Sequence, residues 1–403
     1  MASSDSEART VRRPATLLGA RGTEIALALG GMLALASALG IGRFVYTPIL
    51  PAMVERLGLN KAEAGLIASA NFAGYLVGAL LVAVPRLPGG SRNWFVGTLA
   101  FSATTTGAVG LVGTMPAFLL LRFAGGAASA FVLVLGSGLV LDRLARAGQR
   151  GLASLHFAGV GLGIAASALL IDALRGTALD WRGLWIASGA AAGALVPLVA
   201  WLVPGAEATA RGAPSAEARP GRLPRGLGAL SLCHGLFGFG YIVTATFIVA
   251  VVRTTADLRT VEALVWLAVG LAAIPSTAAW GWAGRRWGVL SAYALACCAE
   301  AIGVAAGGLW DAPAGALLAA ALLGGTFMGI TALGFEAARA LAPGQQRRSF
   351  ALMTAGFGVG QIAGPVMAGV LLDSTGGFAL PSLLATAALV GAAAIAARIA
   401  WTA

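Results

Sequence analysis

Apolar residues in this chain come in long blocks rather than at every second or fourth position. Runs of 18 or more recur at about 24–47, 62–84, 94–113, 117–141, 152–173, 183–203, 227–251, 262–283, 288–309, 314–338, 349–372 and 379–400, with short polar breaks between them. A helix needs about 20 apolar residues to cross the hydrocarbon of a bilayer. The pattern therefore predicts an all-α membrane protein with twelve transmembrane helices. The longest polar break, 204–226, is rich in Pro, Gly, Ala and Arg and divides six spans from six. The expected organisation is a disordered cytoplasmic tail (1–22), an N-terminal six-helix bundle (23–203), a cytoplasmic linker (204–226) and a C-terminal six-helix bundle (227–403).

Composition agrees with the pattern. Of 403 residues, 58% are hydrophobic and 11% charged, and the mean hydropathy is +0.86; soluble domains carry about 25% charged residues. The 58 glycines suit helices that pack backbone to backbone in lipid. Cys233, Cys297 and Cys298 all fall in apolar runs, without disulfide or metal spacing, and no cofactor is expected. There is no GxxxxGK[ST] phosphate loop, no HExxH and no soluble domain with paired carboxylates, so neither an enzyme nor an ATP-driven pump is indicated.

The net charge of +11 would suggest a nucleic-acid partner only if its placement were ignored. With the N-terminus inside, nineteen basic residues fall in cytoplasmic segments, among them Arg9, Arg86, Arg143, Arg285 and Arg347, and six (Arg56, Lys61, Arg175, Arg182, Arg253, Arg259) fall outside. Arg43 and Arg122, inside the spans, complete the 27. This bias predicts a multi-pass protein with both termini in the cytoplasm. The first 22 residues are polar and lack a short apolar core with a cleavage site, so no cleaved signal peptide is expected.

The halves repeat one another. GQRGLASLHFAGVGLG opens span five at Gly148 and GQQRRSFALMTAGFGVG opens span eleven at Gly344; one inserted residue aligns GQ with GQ and AGVGLG with AGFGVG. Repeated halves joined by a long inner loop point to a transporter whose site lies near the midplane between them.

Together these features resemble the major facilitator superfamily over essentially the whole chain, Glu24 to Trp401. More narrowly, the chain resembles the YbfB/YjiJ-like bacterial carriers in GIGRFVYTPILP (Gly40–Pro51), SANFAGYLVG (Ser69–Gly78), LHFAGVGLG (Leu155–Gly163), HGLFGFGYIVTATF (His234–Phe247) and MTAGFGVGQIAGP (Met353–Pro365). The resemblance implies two pseudo-symmetric six-helix bundles that rock to give alternating access, in the bacterial inner membrane. The superfamily's loop motif departs from its usual form. VPRLPGGSR (Val84–Arg92) has no Asp, and GWAGRRWG (Gly281–Gly288) has Gly284 where the Asp belongs, so the expected Asp–Arg latch is in doubt.

One residue stands out chemically. Arg43 lies inside an apolar run with no acid within a helical turn, and an Arg at mid-bilayer depth costs roughly 2.5–3.5 kcal/mol on insertion scales. Its guanidinium matches carboxylate or phosphate; the alternative is that it pairs with helix carbonyls and stabilises the bundle. Several anion carriers of the superfamily place an Arg two turns before a Pro on the first helix, as Arg43 stands before Pro51. Arg122, in RFAGG, resembles the superfamily's fourth-helix Arg, which implies proton coupling or an inter-helix anchor. Further coupling candidates are His156 and Glu336, the latter three residues from Arg339 and able to pair with it; His234 and Asp142 invite weaker versions of the same readings. Glu300, in mid-span nine, ranks below Arg43 because ninth helices of this fold are peripheral. Tyr46, Asn71, Tyr75, Tyr241, Thr244 and Gln361 would complete a substrate site if they face one cavity. The expected function is secondary transport of a small organic anion, coupled to protons, by a monomer contacting membrane lipids. The alternatives are efflux of amphipathic drugs and, in another class, a non-transporting receptor or sensor.

Overall fold

The computed structural model describes residues 20–82, 90–205 and 226–402. The expected tail, the interior of the linker and Arg86 of the loop motif lie outside the described residues. The described residues form helices and no strands. Span one is Ala20–Leu35 continued by Tyr46–Leu57; the others are Lys61–Val82, Ser91–Ala108, Met115–Arg146, Ala153–Arg175, Trp181–Leu202, Leu227–Thr254, Glu262–Trp287, Val289–Leu309, Pro313–Leu341, Gln346–Thr375 and Ala379–Thr402. Span one thus runs about ten residues beyond its expected end, because Tyr46–Leu57 stays helical through Pro48 and Pro51.

Eleven helices among the described residues are long and apolar enough to cross a membrane. Span three, Ser91–Ala108, is the one expected span that is less apolar. Its hydroxyls bond its own helix, Thr98 to the Trp94 carbonyl at 2.6 Å, Thr104 to Ala100 at 3.0 Å and Thr106 to Ser102 at 2.8 Å. Side chains satisfied in this way can lie in lipid without leaving unmet polar groups.

The repeated glycines explain how the halves meet. Gly159 and Gly163 of span five lie against span one, at Met32 and Ala36, while Gly356 and Gly360 of span eleven lie against span seven, at Ser231 and Gly235. The middle glycine of each repeat faces the other half. A methyl group at Gly161 would sit 2.7 Å from the Gly270 carbonyl oxygen of span eight, and one at Gly358 would sit 3.1 Å from Leu76 Cβ of span two. The sequence repeat is therefore a packing repeat, with flanking glycines closing each half and a central one closing the seam between halves.

The seams run five against eight and two against eleven, with span one meeting span seven. Span four makes no comparable contact with span ten or eleven. Let the distal end be where span one finishes and the proximal end where it begins. The halves are clamped distally and part proximally, where Asp142 and Glu336 are both exposed.

Candidate functional site

The site is built around the break in span one. Residues 36–41 form a π-helical turn, with Gly42 N–H bonding the Ser37 carbonyl at 2.8 Å and Phe44 N–H bonding Leu39 at 3.2 Å. Pro48 has no N–H to give, and Thr47 N–H turns back to Phe44 at 3.2 Å instead of reaching Arg43. The Arg43 carbonyl thus loses its helical donor. Arg122 of span four supplies the replacement, donating from Nη1 to the Gly42 carbonyl at 3.1 Å and from Nη2 to Arg43 at 3.0 Å. Asn71 of span two in turn donates to the Arg122 carbonyl at 2.9 Å. Arg122 also lies over Tyr46 and Trp185, 5.2 and 5.5 Å from the ring centroids. Its fork is occupied by backbone, which is the anchoring alternative foreseen for it.

That scaffold presents the Arg43 side chain to the interface between halves. It is 5% exposed and donates from Nη2 to Gln361 Oε1 of span eleven at 3.0 Å. Gln361 passes the contact on through its amide to the Tyr241 hydroxyl of span seven. The guanidinium lies 4.3 Å from the Tyr75 ring centroid and 4.6 Å from that of Phe72. Its Nε has no partner, and no carboxylate lies within ion-pair distance among the described residues. Aromatic faces contribute about 0.5–2 kcal/mol each to a nearby cation, against a desolvation penalty of several kcal/mol for a buried ion. Arg43 is left cationic, buried and only partly compensated.

Beside it is a small cavity of about 10 Å³, walled by Phe44, Tyr241, Trp266 and Phe327 from spans one, seven, eight and ten. It has room for about one water. Of the residues expected to share a cavity, Tyr241 alone lines this one; Gln361 touches Tyr241, Arg43 lies over the Phe44 ring, and Tyr75 touches Arg43 rather than the cavity. Tyr46 is turned away, its hydroxyl on the Ala64 carbonyl at 2.7 Å, and Asn71 is committed to Arg122. Thr244 is buried with an unpartnered hydroxyl. Sequence reasoning missed Phe44, Trp266 and Phe327, whose apolar rings look like any others in an apolar run.

The coupling candidates scatter. His156 is fully buried inside the N-terminal half against Gly31, with neither ring nitrogen partnered. His234 is enclosed by Phe237, Phe335 and Phe357, with Nδ1 3.1 Å from the Tyr293 hydroxyl. Glu336 is exposed and forms no ion pair with Arg339, contrary to expectation; that guanidinium bonds the Phe335 carbonyl and lies over Phe350. Glu300, ranked low from its helix, is fully buried with both carboxyl oxygens unpartnered.

The distal clamp also went unforeseen. Arg253 reaches Glu55 at 2.7 Å and Glu262 at 3.6 Å, and Arg175 reaches Glu262 at 2.7 Å, so ion pairs join the halves twice. Asp373 of span eleven accepts the backbone N–H groups of Lys61 (2.9 Å) and Ala62 (2.8 Å) at the start of span two. Asn60 and Glu63 complete that end as a reciprocal cap at 2.7 and 2.9 Å. Deeper in, Thr47 bonds the Ala245 carbonyl and Ser69 bonds Ile362, both at 2.7 Å across the halves.

Residues 35–397 match the family model MFS_4, described as "Uncharacterised MFS-type transporter YbfB". No curated protein matches the chain significantly. Among solved structures, nucleoside transporter NupG superposes with a TM-score of 0.67 at 15% identity, covering 94% of this chain and 99% of that one. A bacterial homolog of the human lysosomal transporter Spinster, in an inward-facing and unoccupied conformation, gives 0.68 at 14% identity, covering 95% and 96%. At such identity the likeness is one of fold.

Proposed function

Since the chain belongs to the MFS_4 family and is thus a secondary transporter of the major facilitator superfamily, we propose that its solute is a small organic anion bound by Arg43 and moved with protons by alternating access. The observation that carries this reading is Arg43 itself, a buried cation touched by both halves with no carboxylate beside it among the described residues. A second guanidinium, Arg122, bonds its backbone, so the centre of the N-terminal half is doubly positive. A carboxylate entering between the halves would meet the Arg43 fork with Gln361 and Tyr241 alongside. Arg122 and Asn71 act as positioning residues that fix the span-one break.

In this reading the proton is carried by Glu300, the buried carboxyl without a partner, rather than by Glu336 or the histidines. The arginine bias favours cytoplasmic termini and the bacterial inner membrane, with the chain acting as a monomer. The distal clamp then faces outward and the parted end faces the cytoplasm. Efflux of uncharged amphipaths fits the aromatic cavity walls but leaves the buried Arg43 without a purpose.

The test is counterflow of radiolabelled small acids in proteoliposomes. Arg43→Gln is expected to lower the rate at least about tenfold, since hydrogen bonds to a charged group contribute about 1.5–3 kcal/mol. Wild-type counterflow in that variant would refute the assignment of Arg43 as ligand.

A further inference from the structure

A second unanswered polar group belongs to a residue that lines the cavity. Trp266 is 2% exposed, its ring lines the cavity, and its indole Nε1–H has no partner. An indole N–H can only donate, and buried Trp donors usually find an acceptor. Trp280, on the same helix, does so, bonding the Gly325 carbonyl at 2.8 Å. The remaining walls are the rings of Phe44, Tyr241 and Phe327 together with the aliphatic side chains of Ile164, Ala245, Val269 and Leu323. Phe44 stands 6.4 Å from Trp266 and 6.1 Å from Phe327, and Tyr241 lies nearly parallel to Phe327 at 5.8 Å, with 9° between the planes. Phe44 touches both features, because the Arg43 guanidinium lies 5.5 Å from its ring centroid.

We propose that this cavity seats the ring of an aromatic carboxylate, with Trp266 Nε1–H donating to an acceptor atom on the ring or a ring substituent while Arg43 holds the carboxylate. The inference rests on the anion reading of Arg43 and narrows it to a substrate class. Three features select that class. The cation calls for an acid, the offset and edge-on aromatic walls call for a flat ring, and the unmet donor calls for an acceptor away from the carboxylate. At about 10 Å³ the cavity is too small for a ring in this state, so the ring enters as the halves part and the walls close around it. Because the walls come from spans one and five of one half and spans seven, eight and ten of the other, a seated ring would be gripped by both halves at once.

The test is calorimetric titration of the purified wild-type protein with benzoate, its three methoxy isomers, cyclohexanecarboxylate and benzamide. The best methoxybenzoate is expected to bind about tenfold more tightly than benzoate, the fold-change of one buried donor regaining an acceptor. Benzoate should in turn bind more tightly than cyclohexanecarboxylate. Trp266→Phe should bring the methoxy isomers level with benzoate when both are measured on that variant. The proposal is overturned if no methoxy isomer exceeds benzoate, or if cyclohexanecarboxylate binds as well as benzoate; in either case the anion reading stands. Benzamide binding as tightly as benzoate would sink the anion reading and leave the ring seat in place. The wild-type ranking needs no variant, so a misfolded Trp266→Phe protein does not rescue the idea.

Discussion

Removing the carboxylate of Asp373 should open the distal end more than breaking any one of its ion pairs. Asp373 accepts two N–H groups at the start of span two from across the interface. Losing a side-chain cap of this kind costs about 0.5–2 kcal/mol, and losing a negative charge at a helix N-terminus costs about 0.3–1 kcal/mol. The group is exposed, which favours the lower values, so Asp373→Ala should destabilise the clamp by about 1–2 kcal/mol. That corresponds to about a 5–30-fold change in the distal opening equilibrium. The Arg253–Glu55 pair has side chains 32% and 54% exposed, and exposed pairs contribute about 0.2–1 kcal/mol. The assay is alkylation of an Ala245→Cys variant, a buried cavity-lining position, by a membrane-impermeant maleimide added on the distal side. Asp373→Ala should raise the rate by about the factor above, Asp373→Asn by less because an amide still accepts, and Glu55→Gln least. About 1 M salt, which shortens screening to about 3 Å, should reproduce Glu55→Gln but not Asp373→Ala. An unchanged rate in Asp373→Ala, or salt matching its effect, would refute the capping argument.

Two further outcomes follow from the site. Arg122→Gln removes the donors to the Gly42 and Arg43 carbonyls; at about 1–3 kcal/mol for each unsatisfied buried group, it should lower the melting temperature measurably. It should also abolish transport, and a variant of wild-type stability would contradict the positioning role. Glu300→Gln should retain counterflow but lose uphill accumulation driven by a proton gradient, along with its pH dependence. The titratable and polar neighbours of Glu300 are Tyr293 and Cys297 on its own helix, Thr326 on span ten and Tyr241 on span seven. Cys233 and His234 of span seven stand behind Tyr293. No basic partner among the described residues holds Glu300 in a structural ion pair, and proton-driven accumulation surviving in Glu300→Gln would remove it from the coupling.

The spans were legible because the bilayer imposes one rule on every segment: about 20 apolar residues in a row. Span three obeyed it less cleanly, since its threonines satisfy themselves within the helix and lower its hydropathy without exposing a polar group. Arg43 was legible for the converse reason: a charge inside such a run has to be explained. What surrounds it was not. Gln361 is 318 positions away, and nothing in local spacing couples span one to span eleven. Nor was the π-helical turn readable, because it depends on a donor from span four as much as on the glycines and prolines of span one. The pairing of Glu336 with Arg339 was a helical-spacing inference that failed because Glu336 lies exposed while Arg339 turns to backbone and an aromatic ring.

The aligned AGVGLG and AGFGVG segments carried more information than the resemblance they first suggested. Glycines two apart on a helix point in different directions, about 200° apart at 3.6 residues per turn. A pattern of three alternating glycines therefore needs two partners, one on each side. In both halves the outer two touch a helix of the same half and the middle one touches the opposite half. The alternation thus encodes where each half ends and where the sliding seam begins. Spans five and eleven are the helices that must stay fixed to their own bundle while moving against the other. A bulky residue at Gly159 or Gly356 would disturb one half, whereas one at Gly161 or Gly358 would act on the equilibrium between the two faces. The distinction follows from the repeat once each glycine is assigned its neighbour.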